Sequence, residues 1–100
     1  MTASEAEHGA TDPKLAELAA RYVWWQPVEA TLREPLPLLW SVLKIGTAED
    51  YVALRALVGE PALIDALRRA PPGALDERSW VFWHRHYGLP EVPLPTRRFA

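Results

Sequence analysis

Ten prolines and a few well-placed glycines cut this 100-residue chain into short apolar runs, and that punctuation constrains its fold more than any other feature. Proline lacks the N–H that a helix interior or a central strand needs, so each one marks a first turn, a stop or an extended segment. Between the stops, apolar residues recur at helical spacing, and no stretch of five or more residues alternates convincingly with period two. The pattern predicts an all-α domain, a compact bundle of about five short helices.

Asp12 caps the first predicted helix, Pro13 takes its first position, and Leu15, Leu18, Ala19 and Tyr22 line one face. It is expected to end near Trp24–Trp25, ahead of Pro27. A connector over Gln26–Arg33 leads to a second helix with Pro35 and Pro37 in its first turn. Its body (Leu36, Leu38, Leu39, Trp40, Val42, Leu43, Ile45) is apolar almost all round, which leaves Ser41 and Lys44 as a polar strip and predicts the buried central helix. Gly46 ends it. Thr47-Ala48-Glu49-Asp50 resembles a capping box and opens a third helix with Tyr51, Leu54, Leu57 and Val58 inward, closed by Gly59. Pro61 opens the fourth, with Leu63, Ile64, Ala66, Leu67 and Ala70 on one side and Asp65, Arg68 and Arg69 on the other. Leu75, Asp76 and Trp80 have the spacing of a hydrophobic staple at the start of the fifth, which Gly88 and Pro90 end.

Outside these helices, residues 1–11 are small, acidic and aperiodic, and are expected to form a disordered leader. The helical domain is placed at residues 12–88. Residues 89–100, with Pro90, Pro93 and Pro95, are expected to form an extended proline-rich tail.

Seven of the ten aromatic residues fall in two patches: Tyr22, Trp24 and Trp25, then Trp80, Phe82, Trp83 and Tyr87. The expectation is that these rings meet and hold the first and last helices together. With 49% hydrophobic residues the chain lies outside the disordered class, and its length suits one core burying somewhat over ~60% of the unfolded surface.

Composition also narrows the chemistry. There is no cysteine, which removes disulfides, thiolate metal sites and cysteine nucleophiles. The net charge of −2 divides unevenly: residues 1–50 carry four Lys/Arg against eight Asp/Glu, and residues 51–100 carry seven against five. That is far from the basic excess of a protein that neutralises several phosphates. Neither a secretory signal nor an apolar run of membrane-spanning length is visible, so a cytoplasmic protein without membrane contact is expected.

The sequence has no glycine-rich phosphate loop, nucleophile elbow, histidine-carboxylate helix pair or spaced acidic cluster, and neither enzyme activity nor a cofactor is expected. His84 and His86 lie two apart on a helix, about 200° around its axis, and cannot chelate one ion. His84 shares the face of Trp80 and Trp83, where a core imidazole with one satisfied hydrogen bond is the ordinary case.

Phe82 lies on the opposite face, between Arg78 and Arg85 at i−4 and i+3. Either it is core beneath the tail, or it forms a basic-aromatic contact stripe of the kind that anchors interfaces. Arg97, Arg98 and Phe99 end the proline-rich segment with two charges and a ring, a form suited to docking in an acidic groove with aromatic walls. The third and fourth predicted helices, joined at Gly59, allow a helix-turn-helix reading, weakened by Arg55 where such turns want a small buried residue.

The order Tyr22-Val23-Trp24-Trp25, Gly46 with Asp50, Gly59, Ala70-Pro71, Ser79-Trp80-Val81-Phe82-Trp83-His84, Gly88-Leu89, Pro93-Leu94-Pro95 and Arg97-Arg98-Phe99 resembles small uncharacterised bacterial proteins encoded beside AbiEii-type nucleotidyltransferase toxins. The similarity spans roughly residues 20–99. It implies an antitoxin-like role with a cognate protein partner and no catalytic residues. Taken together, the residues point to a non-enzymatic protein-interaction module whose contact residues are Arg78, Phe82, Arg85, Arg97, Arg98 and Phe99. The alternatives are a DNA-binding regulator using the third and fourth helices, and a structural or adaptor protein.

Overall fold

The computed structural model describes residues 12–96. Among them are six α-helices and no strand: α1 (Pro13–Tyr22), α2 (Val28–Arg33), α3 (Leu36–Ile45), α4 (Ala48–Val58), α5 (Glu60–Arg68) and α6 (Glu77–His86). The leader expected at residues 1–11 lies outside the described residues, as do Arg97, Arg98 and Phe99.

Helix α3 is the hub and packs against each of the other five. Leu38, Leu39, Val42 and Leu43 are buried, as an all-round apolar composition requires. The apolar wrap stops one residue early, since Ile45 is 69% exposed. Gly46 follows because the chain turns tightly there. A Cβ at that position would sit 2.6 Å from the Val42 carbonyl oxygen and 2.8 Å from the Val42 Cγ1.

The predicted caps form, with one change. Asp12 accepts from the Lys14 and Leu15 amides, and Asp76 accepts from the Ser79 amide at 2.9 Å. Thr47 Oγ1 accepts from the Asp50 amide at 3.0 Å. The reciprocal half of that capping box is missing, because the Asp50 carboxylate turns to α1 instead. Its Oδ2 accepts from the Tyr22 hydroxyl at 2.6 Å and from Arg21 Nη1 at 2.7 Å, tying α1 to α4. The hydrogen bond from Tyr22 above all, together with that from Arg21, outweighs the effect of burial and holds the Asp50 carboxyl below the usual range.

Two boundaries differ from expectation. Helix α1 ends at Tyr22 rather than at the tryptophans, with Val23 as its C-cap and buried to 1% exposure. The connector contains a further helix, α2, which starts after Pro27 without a side-chain cap and buries only Thr31. Gln26 Nε2 donates to the Thr31 hydroxyl at 2.8 Å and fastens the turn before it.

The expected meeting of the two aromatic patches does not occur. Trp24 and Trp25 are 75% and 59% exposed, and among the described residues their only aromatic neighbour is each other. Trp80 and Trp83 are buried, and their indoles reach Val92 beyond α6 and Leu43 of the central helix rather than the first helix. The physical reason is the early end of α1: Val23 plugs the core, and the next two side chains are carried out on the turn.

Two of the three indoles that pack inward reach carbonyls in the last turn of a helix. The last turn of a helix leaves carbonyls without intrahelical donors. Trp83 Nε1 donates to the Leu43 carbonyl at 2.7 Å, and Ser79 Oγ donates to the neighbouring Lys44 carbonyl at 3.2 Å, so α6 seals the end of α3. Trp40 Nε1 donates to the Ala66 carbonyl in the last turn of α5 at 2.7 Å. Trp80 Nε1 donates to the Val92 carbonyl at 2.8 Å and holds residues beyond α6 against the domain. Gly88, at φ +67°, lets the Leu89 amide return to the His84 carbonyl at 2.8 Å and closes α6 in a Schellman turn. Among the described residues no buried side-chain polar atom lacks a partner, and no helix is long and apolar enough to cross a membrane.

Candidate interaction surface

Helix α6 divides its aromatic residues between two faces. Trp80, Trp83 and His84 are buried. His84 Nδ1 lies 2.7 Å from the Trp80 carbonyl; because a carbonyl only accepts, the ring nitrogen is the donor and the imidazole is a satisfied core group. On the outer face Arg78, Phe82, Arg85 and His86 are exposed, and Phe82 keeps 56% of its surface.

Phe82 is braced as well as exposed. Its ring meets Trp83 edge-on at 4.8 Å between centroids and lies parallel to the His86 ring at 5.9 Å. Trp83 is in turn backed by Tyr51, at 4.5 Å, and the Tyr51 and Tyr87 hydroxyls share a hydrogen bond of 2.7 Å. Burial first, and then that bond, push the Tyr87 hydroxyl above the ordinary tyrosine range. The exposed ring therefore stands on a fixed aromatic stack.

Phe82 and His86 form a ridge between two shallow grooves. One, about 540 Å³, is bounded by Glu77, Arg78, Val81 and Arg85, all on α6. The other, about 330 Å³ and nearly apolar, runs over Ala48, Tyr51 and Trp83. The two arginines differ: Arg85 Nε donates to Glu91 Oε2 at 3.0 Å, whereas Arg78 has no carboxylate partner among the described residues. Such exposed pairs contribute little to stability and exchange readily for a partner's carboxylate.

Three of the six sequence-predicted contact residues, Arg78, Phe82 and Arg85, thus share one surface. Arg97, Arg98 and Phe99 lie outside the described residues. For the helix-turn-helix reading, α4 and α5 are joined by a single residue, Gly59 at φ +89°, where such motifs use a turn of three or four. Arg55 lies over the Tyr51 ring, and Arg69 is paired with Asp65 at 3.2 Å. Among the described residues no three His, Asp or Glu side chains gather as a metal site would require.

A second surface was not anticipated. Trp24 and Trp25 wall a groove of about 510 Å³ that runs past Trp40, Lys44 and Ile45. The available signal was two adjacent tryptophans immediately before a proline, but in sequence they are indistinguishable from core residues. Compared with known protein families, curated proteins and solved structures, the chain has no match.

Proposed function

We propose that this protein is a non-enzymatic interaction module that binds another protein through the outer face of α6. The observation that carries this reading is Phe82: a large aromatic ring more than half exposed, fixed by its neighbours, set between two arginines and flanked by two grooves. Aromatic and arginine side chains concentrate binding energy at interfaces, and a pre-braced ring loses little entropy on docking. A partner that fits places apolar side chains in the grooves on either side of Phe82 and a carboxylate near Arg78. The resemblance to proteins encoded beside nucleotidyltransferase toxins names one such partner, a cognate toxin, and residues 97–99 would extend the contact.

The test begins with a photo-crosslinking side chain placed at position 82, and at exposed Asp65 on α5 as a control, in the native cell. A protein trapped from position 82 and not from position 65 is then purified, and its affinity is measured for the parent chain and for Phe82→Ala. Equal trapping at both positions, or equal affinity for both chains, would remove the assignment.

A further inference from the structure

We propose a second binding site, independent of the α6 face: the groove walled by Trp24 and Trp25 takes an acidic, proline-rich segment of a partner in extended conformation.

The first ground is the cost of the display. Each tryptophan carries a large apolar surface, and here two consecutive ones face water on a turn that is itself pinned. Val23 is buried on one side of them. On the other, Gln26 is bonded to buried Thr31, and Pro27 sets the start of α2. The rings stand at 86° to each other with centroids 5.7 Å apart, an edge-to-face contact that makes a corner rather than a flat patch. A turn held at both ends presents this corner without further ordering on binding.

The second ground is hydrogen bonding. Trp40, Trp80 and Trp83 each donate an indole N–H to a carbonyl of the fold. Among the described residues Trp24 and Trp25 have no acceptor, so two donors stand beside two exposed ring faces. Polyproline segments offer the matching features. Their backbone carbonyls have no internal donors, and their pyrrolidine rings pack on aromatic walls.

The third ground is charge. The charged side chains lining the groove are Arg21 and Lys44, both cationic. Arg21 is engaged by Glu17 and Asp50, each at 2.7 Å, while Lys44 has no carboxylate within ion-pair distance among the described residues. Lys44 is therefore the group that a carboxylate of the incoming segment would meet, beside exposed Ile45. A basic segment would be repelled at the same point.

The five indole N–H resonances of the ¹⁵N-labelled full chain, assigned by single Trp→Phe replacements, provide the readout. A synthetic peptide of Pro-Pro-Glu repeats is expected to shift the Trp24 and Trp25 signals saturably and to leave those of Trp80 and Trp83, which do not line the groove, in place. Lys44→Glu should weaken the titration roughly fivefold or more, the scale of losing and then reversing an exposed ion pair. Trp25→Ala should abolish it, with unmoved Trp80 and Trp83 signals showing that the fold is intact. Phe82→Ala should leave it unchanged, which separates this site from the α6 surface. Several results would overturn the proposal: no saturable shift, equal shifts with Pro-Pro-Lys or Gly-Ser-Glu repeats, or shifts with an oligo-dT strand alone. Movement of the same signals on concentrating the chain without peptide would also overturn it, and would assign the groove to a second copy.

Discussion

Trp83 on α6 donates its indole N–H to the Leu43 carbonyl at the end of α3, across 2.7 Å in the buried core. The bond closes the central helix with a side chain 40 residues further along the chain. It also explains why a tryptophan, rather than a phenylalanine, occupies this position.

Trp83→Phe keeps most of the ring volume and removes the donor. It should therefore cost about 1–3 kcal/mol, the penalty for leaving a buried carbonyl unpaired, measured as a lower urea midpoint. Trp83→Ala, which also opens a cavity, should cost roughly 3–5 kcal/mol. A Phe variant as stable as the parent would mean that water or another donor takes over the carbonyl.

Trp24→Ala and Trp25→Ala should behave differently, each changing stability by no more than ~0.5 kcal/mol, as is usual for exposed positions. Thermal melts of the two variants beside Trp80→Ala check this, because the last removes a buried ring and a bond to Val92. Similar losses at all three positions would restore the single aromatic core expected from composition.

The contrast between these tryptophans shows what the sequence holds and what it withholds. Helix starts were legible because Asp12, Thr47 and Asp76 mark them with local hydrogen bonds that depend on a few neighbouring residues. The central helix was legible because seven apolar residues within Leu36–Ile45 leave no amphipathic face. Helix α2 was not, since VEATLR has no side-chain cap and buries only Thr31. The orientation of Trp24 and Trp25 was hidden for a related reason: a stop one or two residues earlier rotates the following side chains out of the core, and Val23 was as good a plug as either ring. Of the contact surface, the i−4 and i+3 spacing of Arg78 and Arg85 about Phe82 was readable from helical geometry alone. The groove over Ala48 and Tyr51 depends on α4 packing beside α6, which no local pattern encodes.

Asp50 gives the fold a defined response to acid. Its carboxyl titrates lower in the folded chain than in the unfolded one, because it accepts from Tyr22 and Arg21. The stabilisation is therefore complete above the ordinary aspartate value of ~4 and is lost as pH falls through the depressed folded value. Asp50→Asn should flatten that decline. Urea midpoints between about pH 6 and 2 for the two proteins measure the difference, and parallel curves would show that the α1–α4 tie does not contribute.

If α6 binds a partner as proposed, Phe82 serves recognition rather than stability. Phe82→Ala should shift the folding free energy by less than ~1 kcal/mol, because the ring is 56% exposed. Against the protein trapped at position 82, the same change should weaken binding by roughly 30-fold or more, as expected on losing an anchor worth about 2 kcal/mol. Calorimetric titration of that purified partner against parent and variant is the most direct measurement. Strong binding by the parent and a large loss in a fully folded variant is the predicted result; an unchanged dissociation constant, or a variant that fails to bind only because it has unfolded, would contradict it.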